Sequence, residues 1–217
     1  MDSYPKSGGA RPVFDLSGGH PALDLVNTLD HRFRDEPPVE LLADYEALLS
    51  FARQSEVLDA GQVRTLRMSV KPQAATRALS SARELREALA AVLYANVEQR
   101  PPPATAIRTL ERHILASEQH RELRWEEGGA GNRRPGIAWQ WTSAEKDAEF
   151  PVWILAARAG QLMLSDAMQQ VRACEADPCR WLFLDTSKNH TRRWCDMKVC
   201  GNRMKARRFQ ARRAAER

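Results

Sequence analysis

Cys174-Glu-Ala-Asp-Pro-Cys179 and Cys195-Asp-Met-Lys-Val-Cys200, separated by fifteen residues, hold all four cysteines of a 217-residue chain. Two short loops, each offering two thiols on either side of a hairpin-sized insert, match the needs of one tetrahedral ion. Structural zinc takes four soft or borderline ligands at about 2.3 Å, and so small a module generally needs its metal to fold. Two disulfides, or four unconnected core cysteines, are the alternatives. Met1 to Ala10 is polar and Gly-bearing rather than secretory in character, which argues against disulfides, and the paired spacing argues against unconnected cysteines. The expected ligands of one Zn(2+) are therefore Cys174, Cys179, Cys195 and Cys200.

Between the pairs, Trp181 to Leu184 reads as a short apolar strand, Asp185 to His190 as turn formers, and Arg192 to Trp194 as a return strand, giving a hairpin between two knuckles. After Cys200, Gly201 suits a tight knuckle and Asn202 suits the cap of a helix beginning at Arg203. The whole reads as a treble-clef-like arrangement.

That helix is basic: Arg203, Lys205, Arg207, Arg208, Arg212 and Arg213 include the i, i+4 pairs Arg203/Arg207 and Arg208/Arg212, which repel. Residues 180–217 carry 12 Lys and Arg against 3 Asp and Glu, whereas the rest of the chain carries 21 against 25. An acidic body thus bears a basic module. Phosphates would relieve the repulsion and release counterions. In the competing reading, nearby arginines offset the charge of a four-thiolate zinc and the remainder is a solvated tail. The nucleic-acid candidates are Arg192, Arg193, Lys198, Asn202, Arg203, Lys205, Arg207 and Arg208. Only Phe209 is free to stack on bases, since Trp181 and Trp194 suit the small core, so duplex DNA is favoured over single strands.

Upstream, apolar periodicity and proline stops predict helices over about 21–33, 40–54, 60–68, 74–99, 104–117 and 150–171. Alternation over 120–126 and 137–142, around a basic turn, predicts one β-hairpin. The fold class is mainly α: a helical domain over 1–171, then the finger and its basic helix over 172–217. No apolar run approaches the ~18 residues of a membrane span, and a cytoplasmic protein is expected. On the first helix His20, Asp24, Asn27 and His31 fall on one face. They read as a solvated or hydrogen-bonding face, as an effector pocket, or as a metal site.

The run Trp181-Leu-Phe-Leu-Asp185, Asn189, Arg192-Arg-Trp-Cys195-Asp-Met197 and Cys200-Gly-Asn-Arg203, with Lys205, resembles the CGNR-type zinc-finger family over about residues 172–213. The body, with Leu23-Asp-Leu-Val-Asn-Thr28 near its start, looks like the ABATE domain that precedes this finger in bacterial proteins. The resemblance maps the family's four metal ligands onto the four cysteines and implies a stress-induced transcription regulator that binds DNA. Catalysis has no motif to support it: there is no phosphate-binding glycine loop and no His-Glu-x-x-His, and four thiolates leave zinc no open position. The expected protein is a non-enzymatic regulator whose body senses a small-molecule effector or forms a homodimer. The alternatives are a finger that docks on an acidic surface of the transcription machinery, and a small-molecule-binding body with an accessory finger.

Overall fold

The computed structural model describes residues 12–127, 135–142 and 144–215; the polar opening segment and the basic turn of the predicted hairpin lie outside them. Helices dominate. α1 (Pro21–Asn27) has proline in its first turn and His20 as its cap, the ring Nδ1 accepting the Ala22 N–H at 3.2 Å. β1 (Leu29–Asp30) and β2 (Val39–Glu40) form a short antiparallel ribbon. α2 (Tyr45–Gln54) and α3 (Ala60–Ser69) start at Asp44 and Asp59, and Asp59 with Gln62 makes a reciprocal capping box. α4 (Pro72–Val97) and α5 (Ala104–Glu118) follow, divided by the prolines at 101–103.

β3 (Arg121–Glu126) and β4 (Gly136–Trp141) pair as the predicted hairpin, and α6 (Phe150–Met163) completes the body. Leu23, Leu25, Phe51, Leu85, Leu89 and Phe150 are fully buried in the core between α1, α2, α4 and α6. No described helix is long and apolar enough to cross a membrane.

Three helices are shorter than their periodicity predicts, the second because Glu40 pairs in β2 and Asp44 caps a helix that starts only at Tyr45. The first ends at Asn27 rather than Phe33, because Thr28 Oγ1 turns back to Leu25 O at 2.6 Å and the chain enters β1. Arg86, buried on α4, then fixes the ribbon through bonds of 2.6 and 2.7 Å to the two oxygens of Glu40. The last body helix stops at Met163 rather than Val171. Leu164 is exposed, Asp166–Gln170 forms a 3-10 turn, and the chain becomes extended.

The C-terminal hairpin also differs from expectation. β5 (Val171–Ala173) pairs with β6 (Leu182–Leu184), Val171 opposite Leu184, so the first cysteine loop is the tip of the hairpin and does not flank it. The expected return strand at Arg192–Trp194 is unpaired, apart from Arg193 O accepting the Glu175 N–H at 2.9 Å. A single π turn, Met197–Gly201, leads without a break into α7 (Asn202–Ala215).

Candidate metal centre and its basic helix

The four Sγ atoms all lie within 4.8 Å of one another, and Cys195 Sγ is 3.7 Å from both Cys179 Sγ and Cys200 Sγ. A tetrahedron with vertices about 2.3 Å from its centre has edges of about 3.8 Å, which is this spacing, whereas a disulfide needs about 2.05 Å. The cysteines are free thiols, three of them buried. Hydrogen bonds from Cys179, Cys195 and Cys200 hold the Cys174 thiol below its usual range, and the same sharing pushes Cys195 up. Like charges this close disfavour four thiolates without a cation. A central divalent cation is what lets all four ionise.

Local structure places each ligand. Cys174 follows β5 and donates its N–H to Trp181 O at 2.8 Å, and Cys179 closes a turn onto Ala176 O at 2.6 Å. Asp196 caps the π turn that carries Cys200, accepting the Val199 N–H at 2.8 Å. Asn202 is therefore not the helix cap that its position after Cys200-Gly201 predicts. Its amide sits inside the continuous helix and donates to Lys198 O at 3.0 Å. At Gly201 the atom nearest an added Cβ would be Sδ of Met197, an exposed and flexible side chain that can turn aside, so crowding alone does not demand glycine there.

Buried Asp185 organises the loop between the cysteine pairs, accepting from Ser187 N, Ser187 Oγ and Arg192 N at 3.0, 2.6 and 3.0 Å.

The predicted basic contacts divide into two groups. Arg192 is turned inward. Its guanidinium lies 4.5 Å over the Phe183 ring and donates to Trp194 O at 2.9 Å and to Cys195 O, so it clamps the second cysteine loop. Arg193 pairs with Glu175, and Arg207 donates to Asp177 O at 2.7 Å. Lys198, Arg203, Lys205 and Arg208 project to solvent with no acidic partner among the described residues, and Arg212, outside the predicted set of phosphate-binding residues, joins them. Lys205, Arg208 and Arg212 recur at i, i+3 and i+7, with exposed Phe209 on the same side.

The polar face predicted on the first helix is where body and finger meet. Asn27, 2% exposed, uses both ends of its amide on β6: Nδ2 donates to Leu182 O at 2.9 Å and Oδ1 accepts the Leu182 N–H at 3.0 Å. Trp181 donates its indole N–H to Asp30 at 2.8 Å, Tyr94 donates to Arg180 O, and Leu184 N donates to Gly18 O. His20 is a helix cap. His31 lies beyond the helix at a φ of 59°, beside Asp30. The spacing of His20, Asp24, Asn27 and His31 assumed one continuous helix, and the turn at Thr28 separates the fourth from the others. None of the seam partners Asp30, Gly18 or Tyr94 carries a sequence signal for this role.

Asp24 is 4% exposed and accepts the Gly18 N–H at 2.9 Å. Burial pushes its carboxyl up to about 7, opposed by that N–H and assisted by Asp15. A raised carboxyl means that the native state holds the proton more tightly than the unfolded chain. Its contribution is fully present below the unfolded value of about 4 and is lost as pH rises through about 7. Asp24→Asn keeps an acceptor for Gly18 and removes the titration. Melting curves from about pH 4 to about pH 8 are expected to show the variant gaining on the parent by up to a few kcal/mol as pH rises. Parallel pH profiles would rule this out.

A tetrad of thiols at tetrahedral spacing, three of them buried, on a hairpin tip and a π turn, defines a four-cysteine metal-binding finger. Residues 170–213 match the CGNR zinc finger. Residues 19–167, more than half of the chain, match ABATE, described as "Putative stress-induced transcription regulator", and the chain belongs to this family. No curated protein matches the chain.

Proposed function

We propose that the protein is a transcription regulator that grips duplex DNA with α7 and the adjoining π turn, on a finger shaped by one zinc ion. The observation that carries this reading is the free cationic side of α7: Lys205, Arg208 and Arg212 share one side of an exposed helix, with Lys198 and Arg203 near its start, none of them neutralised by an acidic neighbour among the described residues. A helix polar all round gains little from its own protein, and a polyanion supplies the missing counter-charge. Zinc has a structural role here, since four thiolates fill its coordination shell. The ABATE description supports regulation as the purpose of the binding. Arg192 acts in this reading by positioning the second cysteine loop.

Titration of zinc-loaded protein with duplex DNA over a range of salt tests the reading. Replacing Lys205, Arg208 and Arg212 together by Ala is expected to weaken binding and to flatten the log–log salt dependence by about 0.9 for each phosphate no longer neutralised. Asn202→Ala, which removes an internal bond, should leave the slope unchanged. Equal slopes for parent and triple variant would remove α7 from the interface, and salt-insensitive capture by an acidic protein would move the function to a protein partner.

A further inference from the structure

The β3/β4 hairpin has two unlike faces. Opposite residues of an antiparallel pair point the same way, and the register sets Leu123 against Trp139 and Trp125 against Ile137. These four side chains are 59, 50, 63 and 70% exposed, so they form one uncovered apolar sheet face. At its inner end, on the same face, Trp141 meets Phe150 edge-on with ring centroids 5.7 Å apart and roots the hairpin in the core. The other face carries Glu122, Arg124, Glu126 and Gln140. A two-stranded hairpin is marginal alone and gains its stability from whatever covers its apolar side. Within the described residues, little beyond Trp141 covers this one.

We infer that this face is the dimerisation surface of the protein and that a second copy of the same chain covers it. Charge argues against a polyanion as the occupant. Arg121 is held by Glu118 while lying 4.8 Å over the Trp139 ring, and Arg124 is held by Glu122, so no cation beside the apolar face is left without a carboxylate among the described residues. Shape favours a self-complementary contact: each row sets an indole beside an aliphatic chain, Trp139 beside Leu123 and Ile137 beside Trp125. A twofold axis lying parallel to the face, along or across its strands, brings indole over aliphatic in both rows.

Area agrees. Two tryptophans and two branched aliphatics at this exposure offer on the order of 500 Å2 per copy, or about 1,000 Å2 across the twofold, which reaches the threshold of a specific interface and predicts a modest, concentration-dependent dimer. The inference is independent of DNA binding, because its test reads mass. If α7 does bind DNA, the dimer presents two such helices to two half-sites.

Sedimentation equilibrium of the zinc-loaded full chain, without DNA, over a wide concentration range is the test. The parent is expected to pass from monomer to dimer, and Trp125→Lys and Ile137→Lys to weaken association by about tenfold or more. Both positions are exposed, so the variants should keep the parent's circular dichroism. Met68→Lys, at an exposed residue of α3, should leave association unchanged. A parent that stays monomeric at every concentration overturns the inference, as does a dimer indifferent to Trp125→Lys and Ile137→Lys. If the parent is monomeric and these variants instead lose affinity for DNA, the face belongs to nucleic acid.

Discussion

Chelation of the ion, or Cys195→Ser, is expected to unfold the finger and to abolish whatever α7 does, the largest single effect available in this chain. The finger core consists of Cys174, Ala176, Trp181, Phe183, Cys195 and Cys200, with Cys179, Trp194 and Met204 packed against it. Three of the six buried members are ligands, and the remaining three cannot offset the entropy of ordering about forty residues. The apparent binding energy of a structural zinc, about 10–16 kcal/mol, therefore acts as folding energy here. Cys195 is the sharpest point of attack, with its Sγ 3.7 Å from two other ligands. Metal content, tryptophan emission and far-ultraviolet circular dichroism on the same samples should report one bound ion, a red shift on its removal, and loss of part of the helical signal with the body's share retained. Refilling with cobalt should give the spectrum of a tetrahedral four-thiolate site. A chelated chain whose emission and helicity match those of the loaded protein would show that the finger stands without its ion.

The second large effect is expected at Trp181, whose ring belongs to the finger core while its indole N–H is committed to Asp30 of the body. Trp181→Ala should cost about 3–5 kcal/mol through the cavity it leaves. Trp181→Phe keeps most of the packing but removes one of the two N–H groups given to Asp30 Oδ1, leaving that of His31, at a cost of about 1–3 kcal/mol. Denaturant unfolding monitored by helicity separates the two. If the Phe variant is as destabilised as the Ala variant, the hydrogen bond to Asp30 matters more than the packing. If neither is destabilised, the finger and body are energetically independent.

The site was far more legible in the sequence than the interactions around it. Cysteine spacing carries its own geometry, because four soft ligands in two short loops can meet at one point only in a few ways. The long helices were legible for a similar reason: burial repeats every three to four residues along α4 and α5, and prolines and aspartates mark helix starts.

What periodicity could not show is where a competing local bond ends a helix. Leu29 and Phe33 continue the helical spacing of α1, yet Thr28 turns the chain away and Phe33 packs edge-on against Tyr94 at 4.9 Å. Arg192 and Arg193 are adjacent and chemically identical, but only the first folds over Phe183, and nothing local to the sequence distinguishes them. Asn202 resembles a cap because asparagine after glycine often is one. The π turn moves that role back to Asp196, six residues earlier. Of the seam only the polar face that carries Asn27 was legible, and not what it meets, since its amide finds its partner 155 residues downstream.

That distance also orders events during synthesis. Asn27 leaves the ribosome early and its amide stays without this partner until Leu182 has been made, while the hydroxyl of Tyr94 waits for Arg180 and Asp30 waits for the indole N–H of Trp181. The body therefore waits, nearly folded but with one edge open, for the last part of the chain to arrive. Because the same short strand that closes this edge also builds the metal-binding tip, a nascent chain cannot complete the one without nearly completing the other, and a grip on any partner through α7 comes only to molecules whose bodies are already whole.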